Sequence, residues 1–263
     1  MRLRASAMMI ATGLVLLTAA AAAATEPTPG LRGRLRVLVP ADETPEMFAF
    51  THNPRPGLER EVLEGFCRIH GLAFEVVPVE DLGRIIPMLL RGEGDVITGI
   101  VETASRRRDV AFTAEILPVR HLAVTRRPGP PVSRAADLRS LRVGVLRGAS
   151  GEEVADGVGV PDAKRLPFQD IEALLGGLRT GETDAVVMTL LDFAIAQNKD
   201  GDLVAGPFVG PFSSAALAVR REDTPLLEAL NGYLEGMHQV RDALMFKYLS
   251  EEALSLIALA RKD

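Results

Sequence analysis

The chain has 263 residues, 47% of them hydrophobic and 25% charged, with a formal net charge of −5 at pH 7. That acidic balance argues against nucleic-acid binding, which needs a basic face to neutralise phosphate, and a single cysteine, Cys67, excludes an intrachain disulfide and the usual cysteine-bearing zinc sets. The length exceeds one typical domain, and the apolar content is enough for two lobes held by core burial.

Arg2 and Arg4 precede a charge-free stretch from Ala5 to Ala24 that ends in small residues, the pattern of a secretory signal peptide over residues 1–24. An uncleaved anchor is the alternative, because the stretch is about long enough to span a bilayer. Cleavage is the expected outcome, since the apolar core from Met8 to Leu17 is short and the alanine run only weakly hydrophobic. The mature chain then starts near Thr25, and loss of two arginines moves its charge from −5 to about −7.

Leu35 to Val39 reads as the first strand, followed by a polar, proline-bearing loop with Asp42 and Glu43. In open α/β sheets ligands sit at such carboxyl-terminal strand ends. Gly57 breaks the chain before Leu58, Val62, Leu63, Phe66 and Ile69, whose spacing predicts one apolar face of a helix ending at Gly71. Phe74 to Val79 is the next strand. Asp81 to Ile97 reads D-L-G-R-I-I-P-M-L-L-R-G-E-G-D-V-I, a helix feeding a strand from Asp95 to Gly99. Arg106 follows that strand's end, where a guanidinium can grip a carboxylate through two parallel hydrogen bonds; beside Arg107 and Arg108 it also fits a solvated basic turn.

His121 to Thr125 is a further strand, and the proline-rich Arg126 to Pro131 a turn. Leu141 to Val145 then matches the opening strand, and Asp170 to Val186 reads D-I-E-A-L-L-G-G-L-R-T-G-E-T-D-A-V, repeating the first block without a gap. Two similar α/β lobes follow from this repeat, and a cleft between lobes is a usual place for a small ligand. Asp95 and Asp184, with Glu93 and Glu182, read as turn and strand-entry residues. Gly148, Ala149 and Ser150 lie at a helix start, which serves either as an anion site or as a capping turn with Ser150 as the cap. Pro207 to Ser214 is a candidate crossing before a strand from Ala215 to Val219, and from Leu226 to Ile257 the chain is helical. His52, His70, His121 and His238 are scattered without metal-ligand spacing, and neither a G-x-S-x-G elbow nor a phosphate-binding glycine loop is present. Neither metal nor cofactor is expected.

Gly99-Ile100-Val101-Glu102-Thr103-Ala104-Ser105-Arg106, followed by Asp109-Val110-Ala111-Phe112-Thr113, resembles the G-x-T-x-T-x-x-R and V-x-F-[ST] stretches of the family 3 extracellular solute-binding proteins, the periplasmic receptors of amino-acid ABC importers. Leu141 to Gly148 is similar to that family's second-lobe opening, and Ala173 to Val187 to its A-L-x-x-L-x-x-G-x-x-D-A-V-V block. The resemblance implies an α/β, two-lobed type II periplasmic-binding-protein fold, each lobe a mixed sheet flanked by helices, with the ligand cleft between. Lobe 1 is expected over residues 25–117 plus 215–263 and lobe 2 over 118–214, with hinge crossings near 114–121 and 207–215.

It further implies a monomeric, non-enzymatic periplasmic receptor that closes over a small carboxylate-bearing solute and presents it to an ABC-type permease. Arg106 would bind the carboxylate, with backbone donors around Gly99 and from Gly148 to Ser150. The family threonine falls at Val101 and the ammonium-binding aspartate at Thr189. Those departures point to a ligand without an α-ammonium. Two other roles stay open on the same fold, a transport-inactive sensor or accessory protein and a dehydratase-like enzyme. The domain also occurs ahead of some lytic transglycosylases, whose catalytic domain is not expected within these residues.

Overall fold

The computed structural model describes residues 33–51 and 54–260. The signal-peptide reading of residues 1–24, and His52, lie outside them. Two five-stranded mixed sheets organise the chain. In chain order the first half supplies β1 (Arg34–Pro40), α1 (Leu58–His70), β2 (Ala73–Val79), α2 (Ile85–Leu90), β3 (Val96–Ile97), α3 (Arg106–Asp109), β4 (Val110–Phe112) and β5 (Leu117–Arg126). The second supplies β6 (Val143–Leu146), α4 (Ser150–Gly157), β7 (Arg165–Phe168), α5 (Ile171–Thr180), β8 (Ala185–Thr189), α6 (Leu190–Lys199), β9 (Leu203–Ala215), β10 (Ala218–Arg220), α7 (Thr224–Gly236), α8 (His238–Tyr248) and α9 (Glu251–Ala260).

The sheets run β2-β1-β3-β10-β4 and β7-β6-β8-β5-β9. In each, the opening strand lies parallel between its two successors, and the fourth strand in the order comes from elsewhere in the chain and runs antiparallel to its neighbours. Thus β10 returns to the first sheet, and β5 enters the second from β4. Central position explains composition: β1 buries Leu35, Val37, Leu38 and Val39 because helices or loops cover both faces. The amphipathic α1 buries Leu58, Val62, Leu63, Phe66 and Cys67, stopped by Gly71 in the left-handed conformation at φ +63°. Ile69, expected on that face, is exposed in the last turn.

Three expectations are corrected. The Asp95 to Gly99 strand is only Val96–Ile97, because Gly99 turns away at φ +71°. The stretch Pro207 to Ser214, expected as a crossing, is the second half of β9. Its prolines are tolerated there because β9 is an edge strand of the second sheet, with β5 as its neighbour in that sheet. Sheet membership instead changes between β4 and β5 and between β9 and β10, where Ile116 donates to the Ala215 carbonyl at 2.9 Å and Thr113 to that of Leu217 at 2.9 Å. Finally, α9 packs against α6 and β5, so the C-terminal segment touches the second sheet's elements as well as the first's.

The repeated block is structural throughout. Asp170 caps α5, accepting from Ala173 at 2.7 Å, and Asp81 caps the 3-10 turn Leu82–Arg84 that leads into α2, accepting from Gly83 at 3.0 Å. Gly92 and Gly181 end those helices at φ +76° and +74°. Asp95 and Asp184 each grip the arginine of the opening strand. Arg36 donates to Asp95 from its backbone N at 2.9 Å, Nε at 3.1 Å and Nη2 at 2.7 Å, and Arg142 to Asp184 at 2.8, 3.1 and 2.6 Å.

Burial separates the two forks. The Asp95 side chain is 10% exposed and that of Asp184 37%. Asp95→Ala therefore lowers the unfolding free energy by about 3 kcal/mol, stranding Arg36, while Asp184→Ala costs about 1 kcal/mol or less. Urea denaturation of both variants measures this, and equal losses would contradict the burial argument.

Candidate functional site

Because β1, β3, β6 and β8 are aligned by parallel pairings, the segments after them meet between the lobes. After β1 come Asp42 and Glu43; after β3, Thr98 to Val101; after β6, Gly148 to Ser150; at the end of β8, Thr189. Two adjoining cavities of about 100 Å³ each share Glu43, Gly99, Ile100, Val101, Thr189 and Asp192 as lining. The one that also touches Arg106, Ala149 and Ser150 is the cleft of the sequence reading.

Arg106 sits at the start of the short α3 and reaches across. Its Nη1 donates to the Val101 carbonyl at 2.6 Å and its Nη2 to the Gly148 carbonyl at 2.8 Å, joining the two lobes. These bonds use two of the five guanidinium N–H groups. Burial pushes its pKa down to about 10, opposed by Glu153. The group remains a cation at neutral pH. Ser105 also crosses the interface, donating from Oγ to Glu153.

Carboxylates gather in the same region. Glu59 on α1 is 1% exposed and accepts from the Thr98 hydroxyl and, at 2.8 Å, from the Gly99 N–H. Glu43 accepts from the Thr44 N–H at 3.0 Å. Asp192 exchanges hydrogen bonds with Thr189, whose hydroxyl donates to its Oδ2 at 2.6 Å and accepts from its N–H at 3.1 Å. Burial holds Glu43 well above the usual carboxylate range, reinforced by Glu59 and Asp192. Burial likewise raises Glu59 against its two hydrogen bonds, and Asp192 against those from Thr189.

The sequence-named residues divide accordingly. Arg106, Gly99, Val101, Ala149, Ser150, Thr189, Asp42 and Glu43 all line the cleft cavity, while Gly148 meets it through its carbonyl's bond to Arg106. The backbone donors expected at Gly99 and Gly148 are already used, by Glu59 and by Glu152 Oε2 at 2.9 Å. Ser150 is not the cap of α4: Ala149 holds that position, and the Ser150 hydroxyl meets His121 Nε2 at 2.8 Å. Thr189 is itself a cap, accepting from the Asp192 N–H, so T-L-L-D has the spacing of a capping box, although Asp192 returns its bond to the Thr189 hydroxyl and not to the N–H. That motif was readable in the sequence and would have found Asp192. Nothing local marked Glu59, which sits among the apolar positions of an ordinary amphipathic helix.

Two lobes joined by paired crossing segments, with an arginine and several carboxyls between them, define a cleft-type binding protein. Residues 35–251 match the family described as bacterial extracellular solute-binding proteins, family 3, and the chain belongs to that family. Among solved structures, a mutant of ArgBP from T. maritima is 28% identical, with a TM-score of 0.74, covering 84% of this chain and 96% of that one. An ancestral arginine-binding protein bound to arginine is 26% identical with a TM-score of 0.71, covering 84% of this chain and 100% of that one. A second structure of an ancestral arginine-binding protein is bound to glutamine. Among curated proteins, the membrane-bound lytic murein transglycosylase F of Ectopseudomonas mendocina is 25% identical over 248 residues, 89% of this chain. The chain spans about half the length of such relatives, 50% and 48% of two of them. Among the described residues no helix is long and apolar enough to cross a membrane.

Gly148 adopts φ +72°, and a Cβ there would lie 2.7 Å from the Gly83 backbone N in the other lobe. Gly148→Ala therefore strains its own backbone and wedges the lobes apart; small-angle scattering detects this as a larger radius of gyration, and an unchanged radius would refute the contact. For Glu43 the sign follows from its raised folded pKa. The folded state binds the proton more tightly than the unfolded chain, so this stability is complete below the ordinary value of 4.5 and is lost as pH rises through the folded pKa. Glu43→Gln, always neutral, melts at a higher temperature than the parent at pH 8, and the gap closes near pH 4; a gap constant with pH would exclude burial as its cause.

Proposed function

We propose that this chain is a periplasmic receptor for a small zwitterionic solute of the amino-acid type, which it encloses between its lobes and delivers to an ABC-type permease. The observation that carries the reading is one cavity lined by both Arg106 and the carboxyls of Asp42, Glu43 and Asp192. Arg106 offers a bidentate grip for a carboxylate. Glu43 and Asp192, held uncomfortably by burial, gain from a ligand cation placed beside them. The sequence-based case against an α-ammonium rested on the departures at Val101 and Thr189; Asp192 beside Thr189 supports a negative charge on that wall, so a cationic group is part of this reading. The two places where the chain changes sheet, between β4 and β5 and between β9 and β10, serve as the hinge, and closure follows as a population shift toward the form in which both lobes touch the ligand. The receptor acts as a monomer and without catalysis.

A second reading, a sensor or accessory protein without transport, is favoured by the match to half of each transglycosylase relative. Genes for a permease and an ATPase beside this one favour transport, and their absence favours the accessory role.

Calorimetry with L-arginine, L-glutamine and succinate tests the ligand class. Binding of an amino acid, weakened about 10- to 100-fold by Arg106→Ala, is the expected result. Equal affinity in the variant removes Arg106 from the site, and binding of succinate alone overturns the zwitterion.

A further inference from the structure

His121 lies on β5, 2% exposed, and its Nδ1 has no hydrogen-bond partner. Its other nitrogen, Nε2, stands 2.8 Å from Ser150 Oγ, the hydroxyl's partner among the described residues. Register places His121 opposite Thr189, so the two side chains share a face of the second sheet. Ser150 and Val101 line both the cleft and an adjoining cavity of about 670 Å³, and His121 lines only the latter. The imidazole thus supports Ser150 from behind, away from the solute.

The tautomer of that ring decides what Ser150 can do. Burial, with Arg106 nearby, pushes the His121 pKa down to about 4, so at neutral pH the ring carries one proton. If Nδ1 held it, a buried N–H would be stranded, which native structures rarely tolerate. Ser150 would then donate to Nε2 and turn only lone pairs toward the cleft. With the proton on Nε2, the orphaned Nδ1 is a bare lone pair, Nε2–H donates to Ser150, and the serine hydroxyl keeps its own proton for the solute. Arg106 on α3 opposes protonation of the ring, and Glu102, Arg107, Glu153 and Asp156 are the charged groups lining the cavity that His121 and Ser150 share.

We propose that His121 is a specificity-determining positioning residue: its Nε2–H fixes Ser150 as a hydrogen-bond donor at the start of α4, so that this wall of the cleft selects an acceptor-only, anionic group. This rests on the reading of the cleft as the solute site. It adds that carboxylate preference is set from a residue that does not line the cleft cavity.

Two arms test it on the full mature chain. Nitrogen-15 histidine spectra, with the His121 signal assigned by its loss in His121→Gln, are expected to show a protonated Nε2 and a bare Nδ1 unchanged from pH 8 to pH 5. A proton on Nδ1, or titration near pH 6.5, overturns the proposal without reference to any ligand. Calorimetry with L-arginine and L-glutamine is the second arm. His121→Leu and Ser150→Ala are each expected to weaken binding about tenfold and the double variant no more than either, as coupled residues do. His121→Gln, whose amide can still donate to Ser150, is expected to recover most of the affinity, with circular dichroism confirming that each variant folds. Wild-type affinity in His121→Leu, or additive losses, overturns the proposal. If the parent binds neither amino acid, the solute reading fails while the spectra still decide the tautomer.

Discussion

In each lobe an arginine at the start of the opening strand is forked onto an aspartate at the start of the third strand, Arg36 on Asp95 and Arg142 on Asp184. The forks fix the relative height of two parallel strands at one end, and parallel pairing transmits that alignment to the other end. There the chain carries Glu43, Gly99, Gly148 and Thr189. Everything in the cleft hangs from those ends. A slip of one residue in either strand would turn its alternating side chains to the wrong face and dismantle the site with the core.

The cleft combines charges that would be costly if buried alone. Arg106 is held by two carbonyls, one from each lobe, rather than by a carboxylate. Glu59 is satisfied by Thr98 and Gly99, and Asp192 by Thr189. These neutral partners hold the charged groups in place without neutralising them, which leaves their fields available to a solute. Gly99 and Gly148, which looked like donors in the sequence, instead provide close approach: a Cβ on Gly99 would meet Glu43 and one on Gly148 would meet Gly83.

The departures at Val101 and Thr189 take a different meaning in three dimensions. Val101 serves Arg106 through its carbonyl, a group every residue has, so the loss of a hydroxyl there does not remove the arginine's support. Thr189 caps α6 and donates a hydrogen bond from its hydroxyl to Asp192, so the charge missing at one position stands three residues further on. Helical geometry brings those two positions together, because residues three apart are neighbours on one face of a helix.

Sequence by itself determined the elements whose causes are local. The capping aspartates, the left-handed glycines, the amphipathic α1 and the duplicated block each follow from residues within one or two helical turns, and the block announced two lobes. The aspartate forks were half legible: Asp95 and Asp184 were readable as strand entries, but their arginines lie 59 and 42 residues away. Only the tertiary structure decided that Glu59 and His121 belong with Arg106 and Ser150. They come from α1 and β5, and each gained its role from burial beside a partner distant in the chain. A pattern of polar and apolar residues records which face is buried; it does not record what the other segments bring to that face.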